Sequence, residues 1–290
     1  MAGNQAAATK KHELEFTARD FDFIRRLVLK RTGISLAEGK EDLVYGRLAK
    51  RLRTLGMTRF SEYCQYVEAH SEELPEVVNA ITTNLTAFFR ESHHFDYLRS
   101  DVLPALLRLN ASSRRIRIWS AGCSTGEEPY SIAMVVHDLM PKNQGWDIKI
   151  LATDIDTNVI DRAASGIYTA DRITGIPEQY QRRYVNKGAG NQAEKVRMRD
   201  EIRDLITFRC LNLIEEWPMR GPFDLIFCRN VVIYFDKDTQ RRLFDRYANI
   251  LCADGHLFIG HSETLYKVCE RFELIGRTIY RKLDGSAAGK

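Results

Sequence analysis

The chain has 290 residues, 44% of them hydrophobic, with a formal net charge of +4. That is length for two ordinary domains and apolar content enough to bury a core in each, which excludes a disordered or fibrous chain. No apolar run approaches the ~18 residues of a membrane span, and the opening MAGNQAAATKKHE lacks a signal peptide's apolar middle, so a cytoplasmic protein is expected.

The charge is unevenly placed. Residues 1–60 carry thirteen Lys and Arg against seven Asp and Glu, an excess of six that leaves the rest of the chain at −2. A basic first domain suggests an acidic partner docking there, against the plainer reading of a solvated face.

Residues 14–108 read as helical. Thr17 and Asp20 have the spacing of a capping box, and Phe16 and Phe21 that of a hydrophobic staple, so a helix is predicted to start at Thr17. It continues through Ile24, Leu27 and Val28 to Gly33, a good C-cap. A second helix over about 41–55 repeats Val44, Leu48, Leu52 and Leu55 on one face and gathers Arg47, Lys50 and Arg51 on another. Further helices are predicted in FSEYCQYVEAH, ELPEVVNAITT and SHHFDYLRSDVLPALLRL.

The polar run NASSRR at 110–115 reads as a linker. After it, short apolar strands alternate with helices, the pattern of a mostly parallel sheet wrapped by helices. The strands are RIRIWSA, DIKILATDID, FDLIFCRN and HLFIGHSE, with a last pair around FELIGRTIYRKL. Between about 171 and 210 the alternation breaks into what reads as a small antiparallel insert.

The six cysteines include no C-x-x-C pair, and the seven histidines include the neighbours His93 and His94 but no H-E-x-x-H, so neither a disulfide framework nor a metal site is expected. Cys123 and Cys228 read as small buried residues, and Trp119 as strand packing.

Open parallel sheets bind ligands beyond the C-terminal ends of their strands. Three loops lie there: AGCSTGEE, ATDID and CRN. Gly122 and Gly126 permit close backbone approach, and Asp154 ends a strand where a carboxylate can accept both hydroxyls of a ribose. Glu127 and Glu128 crowd the helix mouth where a pyrophosphate would bind, and G-x-G-x-x-G spacing is absent. A P-loop would need Lys where Glu127 stands, and a cysteine phosphatase built on Cys123 would need Arg at Pro129. A cationic adenosine compound without phosphate fits, and S-adenosylmethionine is one.

The blocks TNLTAFFRE, WSAGCSTGEEPYS, ATDID, NL at 212–213, GPFDLIFCRNVVIYFD and LFIGHSE closely resemble the CheR family of chemotaxis receptor glutamate methyltransferases, in order, over about residues 16–280. The resemblance implies an N-terminal helical domain at 14–108, for receptor docking and part of the cofactor site. A Rossmann-like α/β methyltransferase domain at 109–290 follows, with a small antiparallel β-subdomain inserted at about 171–210. It implies S-adenosylmethionine held by Asn84, Thr86, Arg90, Glu128, Asp154, Asn212, Leu213, Arg229 and Asn230, with no metal. Ser124 replaces the middle glycine of the wider class's G-x-G-x-G loop.

The expected reaction is methyl transfer to receptor glutamates, giving methyl esters and S-adenosylhomocysteine. Arg90 beside the methyl group would hold the carboxylate with Tyr234 as a second donor, although Arg90 could instead pair with the cofactor carboxylate and Tyr234 could be a core aromatic. Arg47, Lys50 and Arg51 would steer acidic receptor helical bundles, and the β-subdomain could take a receptor C-terminal peptide as an added strand. Neither nucleic-acid binding nor membrane insertion is expected. A nucleic-acid amino methyltransferase would want prolines that the loop Asn230–Tyr234 lacks, and a cofactor-binding recruiter without turnover is the non-enzymatic competitor.

Overall fold

A computed structural model describes residues 13–140 and 145–283. Residues 1–12, which held most of the stretch read for a signal peptide, lie outside them. Two compact units divide the chain, Met1–Arg31 with Ser35–Ile81 and Thr32–Ile34 with Thr82–Lys290.

The first unit is helical: α1 (Ala18–Thr32), α2 (Glu41–Thr54), α3 (Phe60–Ala69) and α4 (Leu74–Ile81). The capping box at the start of α1 forms. The Thr17 hydroxyl donates to Asp20 Oδ2 at 2.7 Å, and the Thr17 amide donates to the same oxygen at 2.8 Å. The Phe16 and Phe21 rings meet edge to face at 6.5 Å, and Gly33, just beyond α1, takes a φ of +75°. Val44, Leu48 and Leu52 are fully buried, as the apolar stripe of α2 requires.

The second unit begins earlier than its sequence suggested. Residues 82–108 were expected in the helical domain, but only α5 (His93–Tyr97), a π-helical turn (Leu98–Val102) and α6 (Leu103–Leu109) are helical there, after an irregular segment over 82–92. Phe88, Phe95, Leu98, Val102, Leu103 and Leu106 share one core with Ile116, Ile118, Leu225 and Phe227 of the sheet. Their apolar periodicity announces a helix; only packing shows which core it joins.

The elements that follow are β1 (Arg115–Ala121), α7 (Glu127–Leu139), β2 (Asp147–Asp154), α8 (Thr157–Ser165), β3 (Ile167–Thr169), α9 (Glu178–Tyr184), β4 (Val185–Lys187), β5 (Lys195–Met198), α10 (Asp200–Arg203), β6 (Ile206–Cys210), β7 (Phe223–Cys228), α11 (Lys237–Ile250), β8 (Leu251–Ile259), β9 (Phe272–Gly276) and β10 (Ile279–Lys282). Seven strands form one sheet in the order β6-β2-β1-β7-β8-β10-β9. The first five are parallel; β10 runs antiparallel to β8 and β9 antiparallel to β10.

Alternate strand residues feed opposite cores, Leu225 and Phe227 into one, Ile226 and Cys228 into the other. Burial on both faces is why these strands read as continuous apolar runs. The Trp119 indole is completely buried and donates to Thr153 Oγ1 at 2.9 Å, the packing role expected of it. Cys123 and Cys228 are buried too, and burial pushes both thiols up.

The insert is a three-stranded antiparallel sheet in the order β3-β5-β4. It starts at Ile167 and ends at Met198, so the expected bounds of about 171–210 shift. Its supposed last strand, β6, pairs in parallel with β2 and is an edge of the main sheet. β2 ends at Asp154 and β6 starts at Ile206, and a pairing across that gap has no local signal.

Candidate active site

The strand order reverses at β1, with β2 on one side and β7 on the other. The loops after these strands therefore diverge and leave a crevice at their C-terminal ends. The segments 121–127, 154–156 and 228–231 meet there.

The loop after β1 is shaped by its neighbours. Gly122 has a φ of +92° and Val231 Cγ2 occupies the place of its missing side chain. Gly126 has a φ of +96°, and a Cβ there would stand 2.8 Å from both Ala163 Cβ and Tyr168 Oη. These two glycines are required by packing and by left-handed backbone, whatever else approaches them. The amides of Gly122 and Cys123 donate to the Thr153 carbonyl at 2.8 and 2.9 Å, fastening the loop to the end of β2.

Asp154 closes β2 and is 9% exposed. Its Oδ2 accepts the Ser124 amide at 2.8 Å and its Oδ1 the Asp156 amide at 3.1 Å. Burial raises its pKa, and those backbone donors only partly offset it. Among the described residues no cation pairs with it. A buried carboxylate with oxygen lone pairs to spare, facing the crevice loops, suits hydroxyl donors of a ligand such as a ribose.

The adjacent carboxylates behave differently. Glu127 is fully buried, accepts the Thr125 hydroxyl at 2.6 Å and pairs with Arg172. Glu128 accepts the Ser120 hydroxyl at 2.7 Å and pairs with Arg229 at 2.9 Å. The sequence reading left both charges open at the helix mouth, yet each has its own arginine from a distant loop. Arg172 also reaches the carbonyl of Thr86 at 3.3 Å.

Arg229 is the most connected residue in the crevice. It is 6% exposed, bonds Glu128, lies 3.2 Å from Glu91 Oε2, donates to the carbonyl of Arg90 and stacks 5.7 Å over Phe95. Burial opposes ionisation of Glu91, but the charge and hydrogen bond of Arg229 and the His261 amide together hold that carboxyl below its ordinary value. Arg229 thus ties the 82–92 segment to α7.

A second tie is Asn84, whose amide donates to Asp156 Oδ2 at 2.7 Å while its carbonyl accepts the Ser124 hydroxyl at 3.0 Å. Asp156 in turn caps α8 through the amide of Asn158 at 2.9 Å and takes the Thr82 hydroxyl at 2.8 Å. The side chain of Arg90 folds back on its own loop, Nη1 to the Leu85 carbonyl at 2.9 Å.

Asn230 has a left-handed φ of +60°, and its amide donates to Glu263 Oε2 at 2.9 Å. Glu263 also accepts the amides of Gly260 and Ile233, at 2.6 and 3.3 Å. Burial raises its pKa against those donors. Among the described residues no side-chain hydrogen bond engages Tyr234, which sits in a short 3₁₀ turn (Val232–Tyr234). Asn212 organises a local turn, bonding the Ile214 amide and Glu215, and Leu213 is 7% exposed with its carbonyl taken by Trp217 and Arg246.

Sequence reasoning therefore named Asn84, Glu128, Asp154, Arg229 and Asn230 in or beside one crevice, and missed Glu91, Asp156, Arg172 and Glu263. All but Arg172 lie inside the motif blocks, but nothing in a sequence says which carboxylate faces which arginine.

The three docking candidates belong to the helical unit. Arg51 grips Glu73 with two bonds of 2.7 and 2.6 Å, and the Tyr63 hydroxyl adds a third to Glu73 at 2.8 Å. Arg47 donates to the Ile81 carbonyl. Lys50 is exposed. Two of the three basic groups are thus engaged within the unit itself.

The strand order and the crevice at its reversal define a Rossmann-like α/β domain, and among the described residues no cation pairs with the Asp154 carboxylate that faces it. Known proteins agree: the SAM binding domain of CheR methyltransferase matches residues 84–281 and its all-alpha domain residues 19–82. The chain belongs to the CheR methyltransferase family. It is 44% identical to a probable chemotaxis protein methyltransferase of Rhizobium etli, over 88% of this chain and 96% of that one. It is equally similar, at 44%, to chemotaxis protein methyltransferase 2 of Pseudomonas aeruginosa, over 92% and 94%, and to the Escherichia coli chemotaxis protein methyltransferase, over 90% and 89%. The boundary between the two matches falls where the compact units divide. Among the described residues no helix is long and apolar enough to cross a membrane.

Proposed function

We propose that this methyltransferase esterifies the side-chain carboxylate of glutamates in the cytoplasmic helical bundles of chemotaxis receptors, and that it works in the cytoplasm. The observation that carries the reading is Asp154, a buried carboxylate to which no described residue supplies a counter-cation, beside the point where the sheet order reverses.

Bound S-adenosylmethionine supplies a methyl group on a sulfonium, which leaves as a neutral thioether when a nucleophile takes the methyl. Asp154 accepts the ribose hydroxyls, while Asn84, Thr86, Glu128, Asn212, Leu213 and Asn230 shape the pocket around it. Glu128 and Arg229 are bonded to each other, so they act as a neutral wall that fixes the loop more than as charges aimed at the ligand.

A glutamate with an ordinary pKa of about 4.3 is already ionised at neutral pH, so no general base and no metal activation is needed. The work left to the chain is positioning and exclusion of water. Arg90, released from Leu85, holds the incoming carboxylate with its forked donors, and Tyr234 adds a hydroxyl that no other described residue claims.

The edge strand β4 has β5 on one side only, which suits addition of an extended receptor peptide on the other. Lys50 is the basic group of α2 best placed to meet acidic receptor surface. The test is transfer of labelled methyl from S-adenosylmethionine to receptor in vitro. A base-labile ester on glutamate is expected, and label that survives base, or binding of S-adenosylhomocysteine without any transfer, overturns the reading.

A further inference from the structure

Glu91, His93 and His94 each place one ligating atom within 4.8 Å of the others. His94 is completely buried and its Nδ1 has no hydrogen-bond partner; nor has Glu91 Oε2. These two atoms lie 3.6 Å apart.

The proton on His94 can be placed. Its Nε2 is 3.2 Å from the Arg277 carbonyl and 3.0 Å from Thr278 Oγ1, and that hydroxyl lies 2.8 Å from the same carbonyl. A carbonyl only accepts, so Nε2 carries the hydrogen and Nδ1 is left with a lone pair. That lone pair faces a carboxylate oxygen. The Arg229 guanidinium, 3.2 Å from that oxygen, offsets part of the repulsion between the two buried acceptors, and a cation between them would remove the rest.

The Arg277 carbonyl also lies 3.2 Å from His93 Nε2. A backbone carbonyl on the far nitrogen is the support that metal-bound histidines commonly have, since it fixes tautomer and ring orientation. Metal bonds of ~2.0 Å at tetrahedral angles put donor atoms roughly 3.3 Å apart, close to the separation found for Glu91 and His94. His93, half-buried, offers a ligating atom within 4.8 Å of both.

We propose that Glu91, His93 and His94 form a binding site for one zinc ion, with a fourth position open to water. Two imidazoles and a carboxylate are borderline ligands that suit zinc and cobalt over calcium or magnesium. The Glu91 oxygen lies 3.2 Å from Arg229, so the ion competes with that guanidinium, which keeps Glu128 as its other partner. Zinc would therefore act on the segment next to Arg90. The site does not depend on any reading of catalysis.

The experiment uses the full, tag-free chain stripped with chelator. Co²⁺ is titrated and its visible absorption followed, and Zn²⁺ is then added to displace it. One equivalent of Co²⁺ is expected to saturate the signal and one equivalent of Zn²⁺ to abolish it. Glu91→Gln and His93→Asn, at half-buried positions that spare the His94 hydrogen bonds, should each weaken Zn²⁺ binding by at least about tenfold. Absence of saturable uptake by the unmodified chain overturns the proposal, and so does uptake that survives unchanged in both variants.

Discussion

Arg229 and Glu128 form an ion pair of 2.9 Å whose side chains are 3% and 10% exposed, 101 residues apart in sequence. Removing one member strands the other in a place with little water. Arg229→Ala, which also deserts Glu91, is expected to destabilise the fold by about 3–5 kcal/mol. Arg229→Lys keeps the charge but loses the fork and should cost about 1–2 kcal/mol. Urea unfolding of the two variants checks the order; equal losses would show that the fork is unimportant.

Asp154 should separate binding from stability. Asp154→Asn removes a buried charge but sets an NH2 against either the Ser124 or the Asp156 amide, so the two effects oppose each other and only a modest fall in melting temperature is expected. Loss of a charged acceptor for hydroxyl groups should weaken S-adenosylhomocysteine binding by about ten- to a hundredfold. Calorimetry measures it, and unchanged affinity would remove Asp154 from the cofactor site.

Arg90 is predicted to matter in the transfer step. Among the described residues its side chain bonds only the nearby Leu85 carbonyl, so Arg90→Ala should leave the fold intact. Turnover should fall by about a hundredfold or more, with S-adenosylhomocysteine affinity reduced far less. A parallel loss of both would make Arg90 a partner of the cofactor instead.

Charge reversal on α2 has to be chosen with Glu73 in view. Arg51→Glu would oppose a buried carboxylate that Arg51 now holds ionised below its ordinary value against the pull of burial. It is expected to cost the helical unit about 2–3 kcal/mol, less than a fully buried pair because Arg51 is part-exposed. Lys50→Glu should cost nothing measurable in stability, yet lower the rate on receptors mainly at low salt. An unchanged salt dependence in Lys50→Glu would retire α2 as a docking face.

Acid should destabilise the sheet unit earlier than carboxylate protonation alone would. Burial drives the pKa of His94 down from 6.5 to about 3, and burial with the nearby Arg281 charge lowers that of His256. Both are neutral in the fold and take up protons on unfolding below pH 6.5. Their contribution is complete above that value and is lost as pH falls toward the folded pKa, roughly 1 kcal/mol by pH 5.5 for His94. Thermal melts at pH 7 and 5.5 with chelator present test this. His94→Leu should flatten the slope; an unaltered slope excludes His94 as a source.

How much of this the sequence disclosed follows from the range of each interaction. The capping box of α1 needs only residues three apart, and Asp20 meets Thr17 as predicted. The parallel strands declare themselves through apolar runs buried on both faces. The crevice was legible through Asp154 and the two glycines because chain reversal in a parallel sheet dictates where loops gather. The partners of Glu127 and Glu128 were not, since Arg172 and Arg229 stand 45 and 101 residues away. The domain boundary failed for the same reason, as Phe88 and Phe95 declare a burial but not the core that receives it.

The pairing of Glu127 with Arg172 and of Glu128 with Arg229 has a bearing on traffic through the crevice. Two bare carboxylates about 10 Å from an arriving anion would together repel it by about 3 kcal/mol at an effective dielectric of ~20, slowing its approach more than a hundredfold. With these two charges cancelled at source, an acidic visitor is spared that repulsion and meets Asp154, a carboxylate with which no cation pairs among the described residues, so the gateway is less forbidding than its own sequence, scanned letter by letter, makes it look.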